Sequence, residues 1–129
     1  MLYILQAANA LLYPMFWQHI FIPVLPKHLI EYLSAPMPFL IGVPAPVMQC
    51  VKTHEIGDAV VLNADDGTIV TPYDDVGNLP LEVKDALKRG LKKEPLIGDA
   101  VSRAFLSAIV HIIGGYRDAL KLRQGTKAA

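Results

Sequence analysis

The sequence predicts an α/β fold, a layered sandwich in which a short, mostly parallel buried sheet is flanked by helices. Residues 11–43 carry only two charges, Lys27 and Glu31, and contain the only Trp of the chain. A run this apolar must be buried on nearly all sides or lie in a membrane, and parallel strands covered on both faces appear as continuous apolar runs. Further along, segments with helical periodicity alternate with short branched segments, which favours a layered α/β structure.

The first predicted elements are a helix and a strand. Residues 2–13 contain no helix breaker before Pro14, so we expect a helix there. Residues 17–25 (WQHIFIPVL) are rich in aromatic and branched side chains, which favour a strand. Pro23 is then expected near the end of this strand, because proline cannot donate to a strand ladder.

A short helix and a second buried strand are expected next. Residues 27–34 form a short helical pattern that Pro36 terminates. Residues 39–43 (FLIGV) are a second apolar strand. Pro46 then suits the first turn of a short helix that extends through residue 51.

The middle of the chain predicts a tight hairpin followed by an acidic loop. Residues 59–63 (AVVLN) form a strand pattern, and Asp65-Asp66-Gly67 has the composition of a tight turn. Residues 68–70 return as the second strand of the hairpin. Residues 71–78 (TPYDDVGN) are then expected to be an exposed acidic loop.

Two helices are predicted in the last third. Residues 79–93 place apolar side chains on one face and Lys84, Lys88, Arg89 and Lys92 on the rest, and Glu94-Pro95 ends the pattern. Asp99 is a suitable N-cap for the final helix. Gly114-Gly115 permits a bend within that helix. Its expected apolar stripe consists of Val101, Phe105, Ile109, Ile112, Tyr116 and Leu120.

Composition limits the classes of protein to consider. A chain of 129 residues suits one domain, and a hydrophobic content of 53% disfavours disorder. The formal net charge is zero, so no basic excess points to nucleic acid as a partner. Cys50 is the only cysteine, which excludes an intramolecular disulfide and a four-thiolate zinc site. We expect Cys50 to be a small buried hydrophobe.

A membrane segment is the alternative interpretation of the N-terminal run. Residues 1–26 carry no charge and are long enough to span a bilayer. Polar residues and prolines interrupt the run, which disfavours a spanning helix. A small membrane-anchored protein therefore remains an open but less favoured reading. The interrupting residues are Gln6, Asn9, Pro14, Gln18, His19 and Pro23.

No motif for catalysis or cofactor binding occurs in the sequence. The chain lacks a phosphate-binding glycine loop, a dinucleotide fingerprint and a nucleophile elbow. We therefore expect no catalytic residue, no cofactor and no metal. His19 and His111 lie in apolar segments and are expected to be hydrogen-bonded packing residues. The acidic turn residues suit either a basic partner or a metal, or are simply solvated: Asp65, Asp66, Asp74 and Asp75.

Five successive motifs carry a resemblance to a known family. In order they are Tyr13-Pro14, Trp17-Gln18-His19, PVLP at residues 23–26, a short helix at residues 29–33, and PMPFLIG at residues 36–42. This order and spacing resemble the central module of DENN-domain proteins, and the similarity continues to residue 122. Within the family, the chain is most similar to the connecdenn branch (DENN domain-containing 1), through TPYDD at residues 71–75 and YRDALK at residues 116–121.

The resemblance implies a function that needs no reactive side chain. DENN proteins are guanine-nucleotide exchange factors for Rab GTPases, so the chain is expected not to be an enzyme in the bond-making sense. The family implies a cytoplasmic protein, peripheral on endosomes or clathrin-coated vesicles, that acts in endocytic recycling. Its implied partners are a Rab-family GTPase and, through regions outside this chain, clathrin or adaptor proteins. The contact residues are expected on exposed loops that include Asp65, Asp66, Asp74 and Asp75.

The resemblance also implies that the chain is one part of a larger assembly. Residues 1–122 correspond to a partial central DENN module, and residues 123–129 are a polar tail. The family places a longin-like lobe and a first strand upstream and a helical region downstream. We therefore expect a fragment with weak exchange activity alone. The remaining alternative is a Rab-binding or self-association module without exchange activity.

Overall fold

The computed structural model describes residues 2–92 and 99–121. These residues fall into two compact units, unit 1 (Met1–Leu79) and unit 2 (Pro80–Ala129). Unit 1 contains all the described strands, and the elements described in unit 2 are helices. The predicted helix end at Glu94-Pro95 and the predicted tail at residues 123–129 lie outside the described residues.

Unit 1 begins with a helix and a parallel pair of strands. Helix α1 is Leu2–Ala10, and strand β1 is Ile20–Ile22. A 3₁₀ helix, Lys27–Ser34, connects β1 to strand β2, Phe39–Ile41. The strands are parallel, with Ile20 opposite Phe39 and Ile22 opposite Ile41. This confirms the predicted α/β class and the strand–helix–strand order.

Backbone hydrogen bonds extend the parallel pairing beyond the strand ends. The Gly42 amide donates to the carbonyl oxygen of Ile22 at 2.9 Å, and the Leu25 amide donates to that of Gly42 at 2.8 Å. The Leu25 side chain is wholly buried, with 0% of its surface exposed. Leu5 of α1 and Leu33 of the 3₁₀ helix are also buried. These three leucines form the apolar centre of unit 1 among the residues described.

Trp17 fixes the segment between α1 and β1. Its backbone amide donates to the Asn9 side-chain oxygen at 3.1 Å, and its indole nitrogen donates to the carbonyl of Ile20 at 2.9 Å. The Trp17 and His19 rings meet edge to face, with centroids 5.3 Å apart. The expectation for His19 was therefore wrong: this residue is exposed and contacts an aromatic ring.

The sheet is less buried than the sequence predicts. Each strand of the parallel pair has only three residues, and Phe21 at the centre of β1 is 37% exposed. A two-stranded sheet has two open edges, so its apolar side chains lack neighbours on several sides. The connecting helix is 3₁₀, and Leu29 departs from helical angles within it. Pro26 precedes this helix and Pro36 follows it, so it spans only eight residues.

The rest of unit 1 contains short helices and a hairpin. Helix α2 is Ala45–Met48, a second 3₁₀ helix is Thr53–Glu55, and helix α3 is Asp75–Asn78. Strands β3 (Val61–Leu62) and β4 (Ile69–Val70) pair antiparallel, as predicted. Gly67 in the turn has φ +72°, the left-handed conformation that glycine adopts without a steric penalty. The described strands therefore form one parallel and one antiparallel pair, rather than a mostly parallel sheet.

Unit 2 is an antiparallel helical hairpin. Helix α4 is Leu81–Lys92, α5 is Ala100–Ile113 and α6 is Tyr116–Ala119. Gly90 near the end of α4 lies so close to Ala104 near the start of α5 that an added Cβ would be 2.8 Å from the Ala104 Cβ. At the other end, the Glu82 carboxylate lies 3.6 Å from the His111 imidazole. These two contacts establish that α4 and α5 run antiparallel.

Helix α5 extends past the start of α4, which corrects the predicted apolar stripe. Its last members, Ile112, Tyr116 and Leu120, are 52–70% exposed, because α4 begins opposite His111 and does not reach them. The chain does break at Gly114-Gly115, as predicted. His111, expected to pack in the core, is exposed beside Glu82.

Asp99 occupies the predicted N-cap position of α5 without making the predicted cap. Its carboxylate makes no capping bond to the backbone and instead accepts from Arg103 Nε at 2.6 Å. The hydrogen bond and charge of Arg103 lower the pKa of Asp99. The guanidinium outcompetes a backbone amide here because its hydrogen bond to the carboxylate is charge-assisted at both ends.

We predict that Gly90→Ala destabilises unit 2. Alanine is favoured over glycine in a helix by about 1 kcal/mol, but overpacking a close contact typically costs about 1–3 kcal/mol. The expected net loss is about 1 kcal/mol in the free energy of unfolding, measured by urea titration of the helical circular dichroism.

The Gly90→Ala experiment has two internal controls. Gly115→Ala adds the same methyl group where nothing lies within 4 Å and should have little effect. Combining Gly90→Ala with Ala104→Gly removes the clash, so the double mutant should be more stable than the sum of the single changes implies. Additive effects would contradict the close approach of the two helices.

Candidate partner-binding surface

Residues 63–75, here called the acidic segment, contain all four aspartates predicted to contact a partner. The segment includes the turn of the β3–β4 hairpin, strand β4 and the residues that lead into helix α3, Asp75–Asn78. Every residue from 62 to 79 is exposed. The predicted loop at residues 71–78 therefore is exposed, although it ends in one turn of helix.

Asn63 and Asp66 build the hairpin turn with their side chains. The Asn63 side-chain oxygen accepts from the Asp65 amide at 3.1 Å, and its nitrogen donates to Asp66 at 2.9 Å. Asp66 in turn accepts from the Thr68 amide at 2.9 Å and from the Thr68 hydroxyl at 2.6 Å. Such side-chain bonds to nearby amides are the reason that Asn and Asp favour turns.

The hydrogen bonds to Asp66 favour its ionised form. The Thr68 hydroxyl, followed by the Thr68 amide, lowers the pKa of Asp66. The carboxylate therefore remains charged while it stabilises the turn. Its negative charge is a fixed property of this surface at neutral pH.

Asp74 has a comparable structural role at the start of α3. Its carboxylate accepts from the Gly77 amide at 3.1 Å, which is an N-cap contact. Asp75 lies in the first turn of the same short helix. Just before it, the Thr71 hydroxyl accepts from the Tyr73 amide at 3.0 Å and so shapes the approach to the helix.

The four aspartates therefore divide into two pairs. Asp66 and Asp74 hold the backbone, whereas the carboxylates of Asp65 and Asp75 have no hydrogen bond or ion pair among the residues described. Substitution of the free pair therefore removes no hydrogen bond or ion pair between described residues. Within residues 2–92 and 99–121, no three His, Cys, Asp or Glu side chains are placed to hold a metal ion.

Exposed apolar side chains lie close to these carboxylates in the sequence, and the sequence pattern did not mark them as part of the surface. Leu62, Ile69, Val70 and Val76 are each more than half exposed, at 51–68%. Apolar area next to acidic groups has the chemistry of a protein–protein contact, in which apolar residues lie inside a polar rim. Branched residues on both sides of the Asp-Asp-Gly turn were the available signal, because such a short hairpin has little structure to cover them.

An open hollow of about 340 Å³ lies along the first 3₁₀ helix, Lys27–Ser34. Its lining includes the ammonium group of Lys27, the carboxylates of Glu31 and Glu55, and the imidazole of His28. Cys50 also lines it and is exposed, with its Sγ 3.6 Å from the carbonyl of Pro46. The prediction of a buried Cys50 was therefore wrong, because α2 ends before this residue and no described element covers it.

The sequence of the first half of the chain, which contains the parallel strand pair and its 3₁₀ connection, matches a known family. A family model described as DENN (AEX-3) domain matches residues 1–67. The chain therefore belongs to the DENN domain family, and the predicted resemblance is confirmed.

Individual relatives agree with this assignment. The chain is 50% identical over 122 residues to DENN domain-containing protein 1B of Mus musculus. This alignment covers 94% of this chain and 16% of that protein. It is 48% identical to DENN domain-containing protein 1A of Homo sapiens, over 92% of this chain and 12% of that protein. DENN domain-containing protein 2D of Homo sapiens is 32% identical over 91% of this chain and 26% of its own length.

The comparisons also set the scale of what this chain represents. It spans about an eighth to a sixth of the length of the DENN domain-containing 1 relatives that it matches.

The described residues of the uncharged run at residues 1–26 form a helix and a strand, and not one long helix. Helix α1 ends at Ala10, and strand β1 lies within the same run. Across residues 2–92 and 99–121, the structure contains no helix with the length and apolar character needed to cross a bilayer.

We predict that Thr68→Val raises the pKa of Asp66 towards its ordinary value, because the variant loses the hydroxyl that donates to the carboxylate. A lowered folded-state pKa stabilises the hairpin above the unfolded-state pKa, and this stabilisation is lost as the pH falls through the folded value. Thr68→Val should therefore bring the folded-state pKa of Asp66 closer to the unfolded-state pKa and narrow the pH range between the two. The measurement is a pH titration of the Asp66 carboxyl carbon by NMR, with Thr71→Val as the control that leaves the Asp66 pKa unchanged.

Proposed function

We propose that this chain contributes to guanine-nucleotide exchange on a Rab-family GTPase. The observation that carries the proposal is its identity of 48–50% to DENN domain-containing 1 proteins over more than nine tenths of the chain. The function implied by the resemblance to DENN proteins depends on binding a GTPase and not on a reactive group. The chain is accordingly proposed to act without making or breaking bonds.

Exchange by docking follows from thermodynamic linkage. A protein that binds the nucleotide-free GTPase more tightly than the loaded form weakens nucleotide binding by the same factor. It does so by holding the switch segments of the GTPase away from Mg²⁺ and phosphate. Shape and surface charge therefore carry the activity, and a surface that combines apolar and charged groups is the feature required.

The acidic segment is the proposed contact surface for the GTPase. Its exposed apolar residues, represented by Ile69 and Val70, offer area for burial, and Asp65 and Asp75 offer charges that no described residue neutralises. A partner surface with apolar residues inside a basic rim would complement it. Charged groups at such a rim chiefly affect the rate and salt dependence of association.

The cellular setting is part of the same proposal. The chain is proposed to act in the cytoplasm, peripherally on endosomes or clathrin-coated vesicles, during endocytic recycling. Contacts with clathrin or adaptor proteins are assigned to regions outside this chain. Because the chain spans so little of its relatives' length, the proposed exchange activity is weak when the chain acts alone.

We predict that the 129-residue chain binds a nucleotide-free Rab from the endocytic recycling route but releases nucleotide at least about tenfold more slowly than a full-length relative. Asp65→Ala with Asp75→Ala should weaken binding by about twofold to tenfold, which is the usual range for two exposed charge contacts. Pull-down against nucleotide-free and GDP-loaded Rab measures binding. Release of a fluorescent GDP analogue measures exchange.

Asp118→Asn is the matched control, because Asp118 is an exposed carboxylate in α6 and lies outside the acidic segment. It should leave binding unchanged. Equal binding to nucleotide-free and GDP-loaded Rab would indicate a binding module without exchange activity. Failure to bind either form would exclude the proposed function for this chain.

A further inference from the structure

The two units of the chain carry opposite charge. Unit 1 contains two basic and seven acidic residues, a formal charge of −5, and unit 2 contains ten basic and five acidic residues, a formal charge of +5. The net charge of zero therefore results from cancellation between two strongly different halves. A charge separation of this kind creates oppositely signed fields that act beyond individual contacts.

Helix α4 carries four of the ten basic residues of unit 2 and two acidic ones, Glu82 and Asp85, so its net charge is +2. Lys88, Arg89 and Lys92 are exposed on this helix, and Lys84 is half-buried. The four residues extend over roughly 12 Å of helix length, from the rise of 1.5 Å per residue. Within the described residues, the ion pairs are Arg103 with Asp99 and His111 with Glu82, so the α4 cations have no ionic partner there. Leu81, 65% exposed, adds apolar area at the start of the helix.

The acidic segment has the complementary chemistry on unit 1. Its four aspartates match the four cations of α4 in number and oppose them in sign. Two of these, Asp65 and Asp75, also have no partner among the described residues. Both surfaces place exposed apolar side chains beside their charges. The pair of surfaces thus meets two requirements of a protein interface, opposite charge and apolar area available for burial.

We propose that two copies of this chain associate head to tail, with the basic face of α4 in one copy on the acidic segment of the other. A second copy is the occupant that the observations favour, because each chain carries both halves of the contact and presents them in equal number. The contact pairs different surfaces, so it is heterologous. This proposal does not depend on the GTPase, and its test contains none.

The test is sedimentation velocity of the 129-residue chain over a range of concentrations. In 50 mM salt, the apparent mass should rise above 14.1 kDa as the concentration increases. In 500 mM salt, the association should weaken at least about tenfold, because screening shortens the reach of exposed charges. A mass of 14.1 kDa at every concentration, or association that salt does not affect, would overturn the proposal.

Charge reversal then identifies the surfaces. Lys88→Glu with Arg89→Glu should weaken association at least about tenfold, and so should Asp65→Lys with Asp75→Lys. An equimolar mixture of the two variants should again associate, because the mixture retains one unaltered pair of surfaces. Circular dichroism checks that each variant folds. If Lys88→Glu with Arg89→Glu does not fold, Lys88→Gln with Arg89→Gln removes the same two charges without reversing them and should also weaken association.

Arg117→Glu with Lys121→Glu is the matched control for the α4 reversal. It makes the same change in net charge at exposed positions of unit 2 outside α4. This control should retain most of the association. Equal weakening by the control, or failure of the variant mixture to associate, would show that α4 and the acidic segment are not the contact and would overturn the proposal.

Discussion

Unit 1 depends on the closure of its parallel strand pair at Leu25 and Gly42. The amide and the carbonyl of Gly42, a buried residue, bond to Ile22 and Leu25, and these bonds place the Leu25 side chain where it is wholly buried. Burial of a leucine typically stabilises a fold by about 1.5–3 kcal/mol, and a buried backbone group left unpaired costs about 1–3 kcal/mol. Both terms depend on the same two hydrogen bonds. The short strands therefore persist because the apolar and polar requirements are met at one place.

The acidic segment is stabilised by side-chain hydrogen bonds and not by burial. The carboxylates of Asp66 and Asp74 accept from backbone amides, and these hydrogen bonds fix the shape of the segment. Asp65 and Asp75 are then presented on a defined backbone, close in sequence to exposed apolar residues. Some charges of a surface can thus hold its backbone in place, while other charges on it remain available to a partner. This division suits the docking function that we propose for the chain.

Much of the fold could be predicted from the sequence, because local signals determine it. Proline positions delimit residues 27–34, the Asp-Asp-Gly turn marks the hairpin, and helical periodicity marks α4 and α5. Burial could not be predicted equally well, because it depends on what covers an apolar side chain. The exposure of Cys50 and of the end of α5 shows this limit. The spacing of four between Asp99 and Arg103 is visible in the sequence, but whether the carboxylate accepts from the guanidinium or from a backbone amide is decided by local geometry.

The position of the candidate surface could be predicted from the sequence, but the different roles of its four aspartates could not. The sequence identified all four aspartates from their turn context, but hydrogen-bond geometry was needed to separate the supporting pair from the free pair. The apolar residues beside them were read as ordinary strand residues. The comparisons with known relatives confirm the family, which the succession of aromatic and proline motifs in the first third of the chain had indicated.

The break at Leu29 in the helix between β1 and β2 has a consequence for the hollow beside it. Residues on both sides of Leu29 line the hollow: Lys27 and His28 before it, and Ile30, Glu31 and Ser34 after it. Leu29 has φ −111° and ψ 20°, so these two groups do not follow one continuous helical row. A rotation of the backbone at Leu29 would therefore move Lys27 and His28 relative to Glu31 and Ser34. The width of the hollow depends on the angle of this one kink.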